Sequence, residues 1–316
     1  MPNHTPGPKP EPPKSITLYK YMPWEIAEKV LTNWELKLTL PHHTNDPFEL
    51  MPAKGVEYPW GDQSERCCNL GFICFSKTNT SAALWGHYGD SHRGAVLEFT
   101  FPLVLTHDIE SKEIKRAYID LFPDIDPVTL LKITYTQKRF GKKRQSSTGK
   151  NTGHVFTDYF NKMWEHLELL SMKDDSWSFE QEYRIICFID QASSIRNGMV
   201  FLDKPMDFLS GIYLGIKCPH NTAYVTSMLA NIIRTNKQEL TIEDDCPDAE
   251  SSKVIGITQM KCHDKLFQVI PDKTNNYGLL MKASRIQPCK QRYSSDLFAY
   301  ANKRICMPDR LYTPGF

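Results

Sequence analysis

The sequence predicts a mixed α+β fold, on three observations. Short runs rich in β-branched and aromatic residues outnumber helical periodicities. The two kinds do not alternate strictly, so a doubly wound parallel sheet is not expected. The local signatures of nucleotide-binding parallel sheets are also missing, with no GxGxxG after a strand and no phosphate-binding GxxxxGKS/T loop, and neither HExxH nor GxSxG occurs in the 316 residues.

The elements follow in order. Residues 1–14 hold six prolines and Gly7, a leader that cannot bury a core. Ile16 to Tyr21 is a strand, and Pro23 opens a helix in which Ile26, Ala27, Val30, Leu31 and Trp34 recur at helical spacing. Leu36 to Leu40 is a short strand ending in the turn chemistry of Pro41 to Glu49, and 51–66 is a loop. Gly71 to Ser76 is a strand; Ser81 to Asp90 carries Leu84, Trp85 and Tyr88 on one helical turn; Ala95 to Phe101 alternates as a strand should. A helix is expected around Glu113 to Leu121, a strand at Leu131 to Tyr135, and a long helix with an apolar stripe from Phe156 to Leu170. The strand Tyr183 to Ile189 follows. The last third predicts a strand at Ile212 to Gly215 and a helix at Thr222 to Arg234. An acidic loop at Glu243 to Glu250, strands near 254–257 and 266–270, and a short helix near Asp296 to Lys303 complete it. These define a domain over 15–275, preceded by the leader and followed by a polar extension at 276–316.

Composition sets limits. Lys+Arg 38 against Asp+Glu 37 argues against a general nucleic-acid coat, though not against a local basic patch. The nine cysteines are scattered without CxxC spacing, which disfavours a zinc ribbon. With neither an apolar leader nor a membrane-length apolar run, a cytoplasmic protein with reduced thiols is expected.

The sharpest chemical feature is Glu180-Gln-Glu182-Tyr-Arg184 at the start of a strand. If the strand already includes Glu180, then Glu180, Glu182 and Arg184 share one face, with the carboxylates about 7 Å apart. Two such carboxylates can divide the work of glycosyl chemistry. One stabilises an oxocarbenium-like transition state, while the other orients or deprotonates a nucleophile. The same spacing also suits a solvated strand start with an Arg184 ion pair. Elsewhere, Trp85-Gly-His87-Tyr88-Gly-Asp-Ser-His92-Arg93 is a pocket wall with phosphate- or ribose-binding groups, or a set of capping and packing residues. Asn45-Asp46-Pro-Phe-Glu49 is a turn, or a structured loop at a cleft. Lys20 and Tyr21 sit at a strand end. The loop Lys138, Arg139, Lys142, Lys143 and Arg144 is solvated or contacts nucleic acid.

Taken in order, Tyr19-Lys20-Tyr21, Asn45 to Glu49, Cys74-Phe75-Ser76, Trp85 to Gly94 and Trp177 to Arg184 resemble the bacterial family of domain of unknown function 2971, over residues 16–216. A more distant similarity is to the ADP-ribosyltransferases, which bind NAD in a cleft of a split β-sheet. That similarity implies a mainly antiparallel split sheet with flanking helices. It also implies a basic or His residue on the first strand, where Lys20 and Tyr21 are the candidates, a Ser or Tyr after an aromatic strand (Ser76 here), and a Glu, often Glu-x-Glu, opening a late strand (Glu180, Glu182). Lys20 stands where those enzymes use Arg or His, and Ser76-Lys-Thr is a loose match to their Ser-Thr-Ser.

The resemblance therefore implies an NAD-using transferase, a toxin or anti-phage defence effector, needing no metal. Glu182 and Glu180 would be catalytic. Lys20, Tyr21, Ser76, His87, Tyr88, His92, Arg93 and Arg184 would hold NAD, with Asn45, Asp46, Glu49, Trp85 and Trp177 around them. Two rivals stand beside it. One is a Mg²⁺-dependent nuclease using Asp46, Glu49, Glu180 and Glu182. The other is a non-enzymatic sensor or interaction module.

Overall fold

The computed structural model describes residues 14–56, 70–107, 114–119, 128–141, 167–239 and 252–282. The leader, Lys142 to Arg144, most of the expected long helix, the acidic loop and the expected helix near 296–303 lie outside them. Residues 167–170, which are described, are helical.

The strands are β1 (Ser15–Met22), β2 (Leu36–Leu38), β3 (Leu70–Ser76), β4 (Ala95–His107), β5 (Ile114–Ile119), β6 (Val128–Lys132), β7 (Thr134–Tyr135), β8 (Met172–Lys173), β9 (Glu182–Phe188), β10 (Ser194–Arg196), β11 (Met199–Leu202), β12 (Leu209–Leu214), β13 (Ser252–Cys262) and β14 (Val269–Lys282). The helices are α1 (Trp24–Asn33), α2 (Ala82–His87) and α3 (Thr222–Glu239).

The mixed, mainly antiparallel sheet is present. Six strands close in the order β1-β3-β9-β6-β5-β4 and back to β1, forming an antiparallel barrel. Leu18, Ile73, Phe75, Leu97, Phe99, Phe101 and Ile185 join one apolar core. Phe75 meets Phe99 and Phe101 edge to face at 5.5 and 5.6 Å, a favoured aromatic geometry. The core continues under α1, whose Trp24, Ala27, Val30 and Leu31 are buried. From the outer edge of β4 the sheet runs on through β12, β13 and β14. β12 and β13 are parallel, and α3 supplies the crossover that a parallel pair requires.

Two expectations change. Residues 114–119 form a strand instead of a helix. Ala117 and Ile119 pair with Leu105 and Leu103 of β4 on one side and with β6 on the other, and this cross-strand pairing overrides local helical preference. The two short strands expected near 254–257 and 266–270 are parts of one long β13–β14 hairpin, which carries the sheet to Lys282.

The barrel has a weak seam. β1 pairs with β4 over its whole length, from Ser15↔Pro102 to Met22↔Ala95, but meets β3 at the single position Tyr19↔Ser76. The free edge of β3 is met farther along by Thr39, which exchanges backbone hydrogen bonds with Phe72 at 2.8 and 2.9 Å. Between those two points β1 and β3 part, and the gap opens into a cavity.

Candidate functional site

The backbone groups of Phe72 point to Thr39, so those of Cys74, two residues on, point into the same gap. The Lys20 ammonium crosses it and donates to the Cys74 carbonyl oxygen at 3.1 Å. On its other edge β3 pairs with β9, and Ser76↔Glu182 and Cys74↔Arg184 are non-hydrogen-bonded pairs, whose side chains lie closest. Tyr19, Ser76 and Glu182 are thus in register on three neighbouring strands.

Glu180 reaches this place by another route. It is the last residue of a 3₁₀ turn, Asp175–Glu180, started by Asp174, whose carboxylate accepts the Ser176 N–H at 3.0 Å. Gln181 then turns left-handed at φ 46°, and β9 begins at Glu182. The expected shared face holds for Glu182 and Arg184 only. Glu180 is brought beside them by Lys173 of β8, whose ammonium donates to Glu180 Oε2 at 2.6 Å and to Glu182 Oε2 at 3.1 Å.

The network extends in both directions. The Tyr88 hydroxyl donates to Glu180 Oε1 at 2.5 Å. Arg184 Nε donates to Glu182 Oε1 at 2.7 Å, Nη1 to the Leu170 carbonyl at 2.8 Å, and Nη2 to Glu49. The Glu182 N–H donates to the Tyr135 hydroxyl at 2.7 Å, fixing the first residue of the strand. Glu180, Glu182, Arg184 and Lys173 are all buried. The three carboxylates of Glu49, Glu180 and Glu182 face the two cations Lys173 and Arg184, leaving one formal negative charge in excess.

Burial acts to lower the Lys173 ammonium, but the Glu182 and Glu180 carboxylates outweigh it and hold the group above its ordinary value. Burial raises the Glu182 carboxyl, against the pull of Lys173. Burial and the Glu182 charge push the Cys74 thiol well up, so it stays protonated. Burial lowers Lys20 and raises Tyr88, the latter with help from Glu180.

These groups surround a cavity of about 250 Å³ lined by Lys20, Tyr21, Asn45, Glu49, Ser76, Tyr88, Lys173, Glu180 and Glu182, with Tyr19, Phe72 and Phe75 among its aromatic walls. Eight of those nine polar residues were candidates from sequence. Lys173 was not, although it opens the charged run that leads to Trp177. Tyr135 was also missed, because its role depends on where β7 ends beside β9.

Other candidates lie elsewhere. Arg184 stands behind the carboxylates, fully buried over the Phe72 ring at 4.8 Å, and does not line the cavity. Trp85 belongs to the core. Its indole N–H donates to the Asn79 carbonyl at 2.8 Å, and its ring supports Tyr21 edge-on at 5.3 Å. Trp177 covers Lys173, whose ammonium is 5.1 Å from its ring centroid. Asp46 accepts the Phe48 N–H at 2.9 Å and closes its own turn. His87 is exposed near Phe179. His92 stacks on Trp85 within a left-handed turn, and Arg93 is exposed beside it; none of these three lines the cavity. Among the described residues no group of three or more His, Cys, Asp or Glu is placed to hold a metal ion. Nor is any described helix long and apolar enough to cross a membrane.

Residues 84–185 match the family model described as protein of unknown function DUF2971. The match supports the DUF2971 family. Tyr88, Tyr135, Lys173, Glu180 and Glu182 fall inside the DUF2971 segment, whereas Lys20, Tyr21 and Ser76 precede it. No curated protein and no solved structure matches the chain.

Proposed function

We propose that the chain is an ADP-ribosyltransferase-like enzyme that cleaves the nicotinamide–ribose bond of NAD. One observation carries this reading: Lys20, Ser76 and Glu182, from three neighbouring strands, line one cavity at a split in the sheet. Its aromatic walls and the Glu180 and Glu182 carboxylates suit a cationic nicotinamide ring. At about 250 Å³ the cavity is below the ~300–1,000 Å³ of sites that engulf a drug-sized ligand. It would take the nicotinamide-ribose end and leave the adenylate half outside.

The hydrogen bonds suggest how the carboxylates divide the work. A carboxylate offers about four acceptor positions. Glu182 spends three on Lys173 and Arg184, so it supplies fixed negative charge beside the developing oxocarbenium ion. Glu180 has two partners, Tyr88 and Lys173, and keeps lone pairs for substrate. In the reaction the C1′–N bond breaks and nicotinamide leaves with the bonding pair. The acceptor atom bonds to C1′, and its proton passes to Glu180 and then to solvent.

For a nuclease, Glu49 and Glu182 would have to turn from Arg184 to Mg²⁺, and Asp46 would have to leave its turn; no contact favours that arrangement. The test uses NAD labelled in its adenylate phosphate, incubated with the protein and a cell lysate. Free nicotinamide and labelled acceptor are expected, and Glu180→Gln and Glu182→Gln should abolish both. If the unmutated protein releases no nicotinamide and transfers no label, the proposal fails.

A further inference from the structure

A second cavity of about 230 Å³ lies on the other side of Lys173, which lines both. Its wall carries Phe48, Gln137, Lys138, Arg139, Phe140 and Asp174. The Arg139 guanidinium carbon lies 4.6 Å from the Phe48 ring centroid, and Nη1 donates to the Met51 sulfur at 3.6 Å. Phe48 remains 56% exposed although it is a large apolar side chain. A solvent-facing aromatic ring paired with a guanidinium is a stacking platform for a planar ring. Lys173 is neutralised by Glu180 and Glu182, so Lys138 and Arg139 against Asp174 leave this mouth with one positive charge in excess.

We propose that this cavity binds one nucleotide of a single-stranded nucleic acid. The base stacks on the Phe48–Arg139 platform, its phosphate meets Lys138, and Asp174 and Gln137 face the base edge. Asp174 accepts from an exocyclic amine. An acidic peptide would satisfy Lys138 but leave the platform unused. A duplex keeps its bases stacked on one another and cannot present one to Phe48. Binding does not rest on the NAD reading. If that reading also holds, the bound strand lies across Lys173 from Glu180 as a candidate acceptor.

The test is fluorescence anisotropy without NAD, using fluorescein-labelled decamers of mixed sequence as single-stranded RNA, single-stranded DNA and duplex DNA. Either single strand should bind and the duplex should bind more weakly. Phe48→Ala should weaken single-strand binding about fivefold to a hundredfold, the range for loss of one stacked base. Arg139→Glu should weaken it at least as much, and Arg139→Lys should recover only part of the loss. Thermal melts of each variant check that the fold is intact. The proposal is overturned if neither single strand binds, if duplex binds equally well, or if a folded Phe48→Ala binds like the parent. Because no NAD is present, these outcomes are separate from failure of the transferase reading.

Discussion

The Tyr88 hydroxyl donates to Glu180 Oε1 at 2.5 Å, joining residues 92 positions apart and tying the turn after α2 to the turn before β9. With Lys173 it holds Glu180, a residue outside the strand, beside Glu182 on it. Tyr88→Phe deletes one oxygen and keeps the ring. The buried Glu180 then loses a donor, which costs about 1–3 kcal/mol. Turnover should fall while the fold persists. Nicotinamide release and the thermal midpoint, measured on the same preparation, check both effects.

Lys173 holds two buried carboxylates at once. Replacing it with Met leaves Glu180 without a cation and Glu182 with Arg184 alone, and removing one partner of a buried pair costs about 3–5 kcal/mol. Adding Glu180→Gln to Lys173→Met should recover part of that loss. Urea unfolding of the single and double variants measures it, and strictly additive losses would contradict the bridging role.

pH separates the same groups. The folded Glu182 carboxyl lies above its ordinary 4.5, so the folded state binds the proton more tightly than the unfolded one. Its contribution to stability is full below 4.5 and fades as pH rises through the raised value. Lys173 is raised above 10.5, so its contribution is full below 10.5 and lost as pH climbs through the folded value. On the proposed transferase reading, turnover needs ionised Glu182 and should switch on above the usual carboxylate range. Removing Lys173, which pulls Glu182 down, should move that acid limb to higher pH. A rate profile of Lys173→Met, run where it is folded, reports the direction.

Much of this was legible from residue order. β1, α1, β3, α2 and the start of β4 follow from period and turn chemistry, because each is fixed by its own side chains. β5 was misjudged because its partners Leu103 and Leu105 become visible only when the barrel closes. Whether the strand includes Glu180 is not legible from residue order, because Gln181 gives no sign in sequence that it turns left-handed. The role of Lys173 depends on β8 lying beside the 3₁₀ turn, a tertiary fact. Of the eight candidates on the cavity, Lys20, Tyr21, Ser76 and Glu182 are carried by neighbouring strands, and Asn45, Glu49, Tyr88 and Glu180 by the turns beside them. His92 and Arg93 do not reach it, because the turn at 88–94 directs them away, and His87 ends α2 on an exposed side.

That turn has a consequence for how the molecule assembles. Asp90, Ser91 and His92 are three successive non-glycine residues at positive φ, each costing about 1–2 kcal/mol. The strain is offset late in the chain. The His92 carbonyl accepts the Lys217 N–H at 2.9 Å, and Gly215 sits so close that a Cβ there would lie 2.2 Å from His92 O. The turn, and Tyr88 before it, is thus held both locally, where the His92 N–H donates to the Trp85 carbonyl at 3.1 Å, and by the segment that follows β12. The amides of 88–94 and of β12 should therefore exchange with deuterium in one cooperative step. Protection of the turn without protection of β12 would refute that coupling.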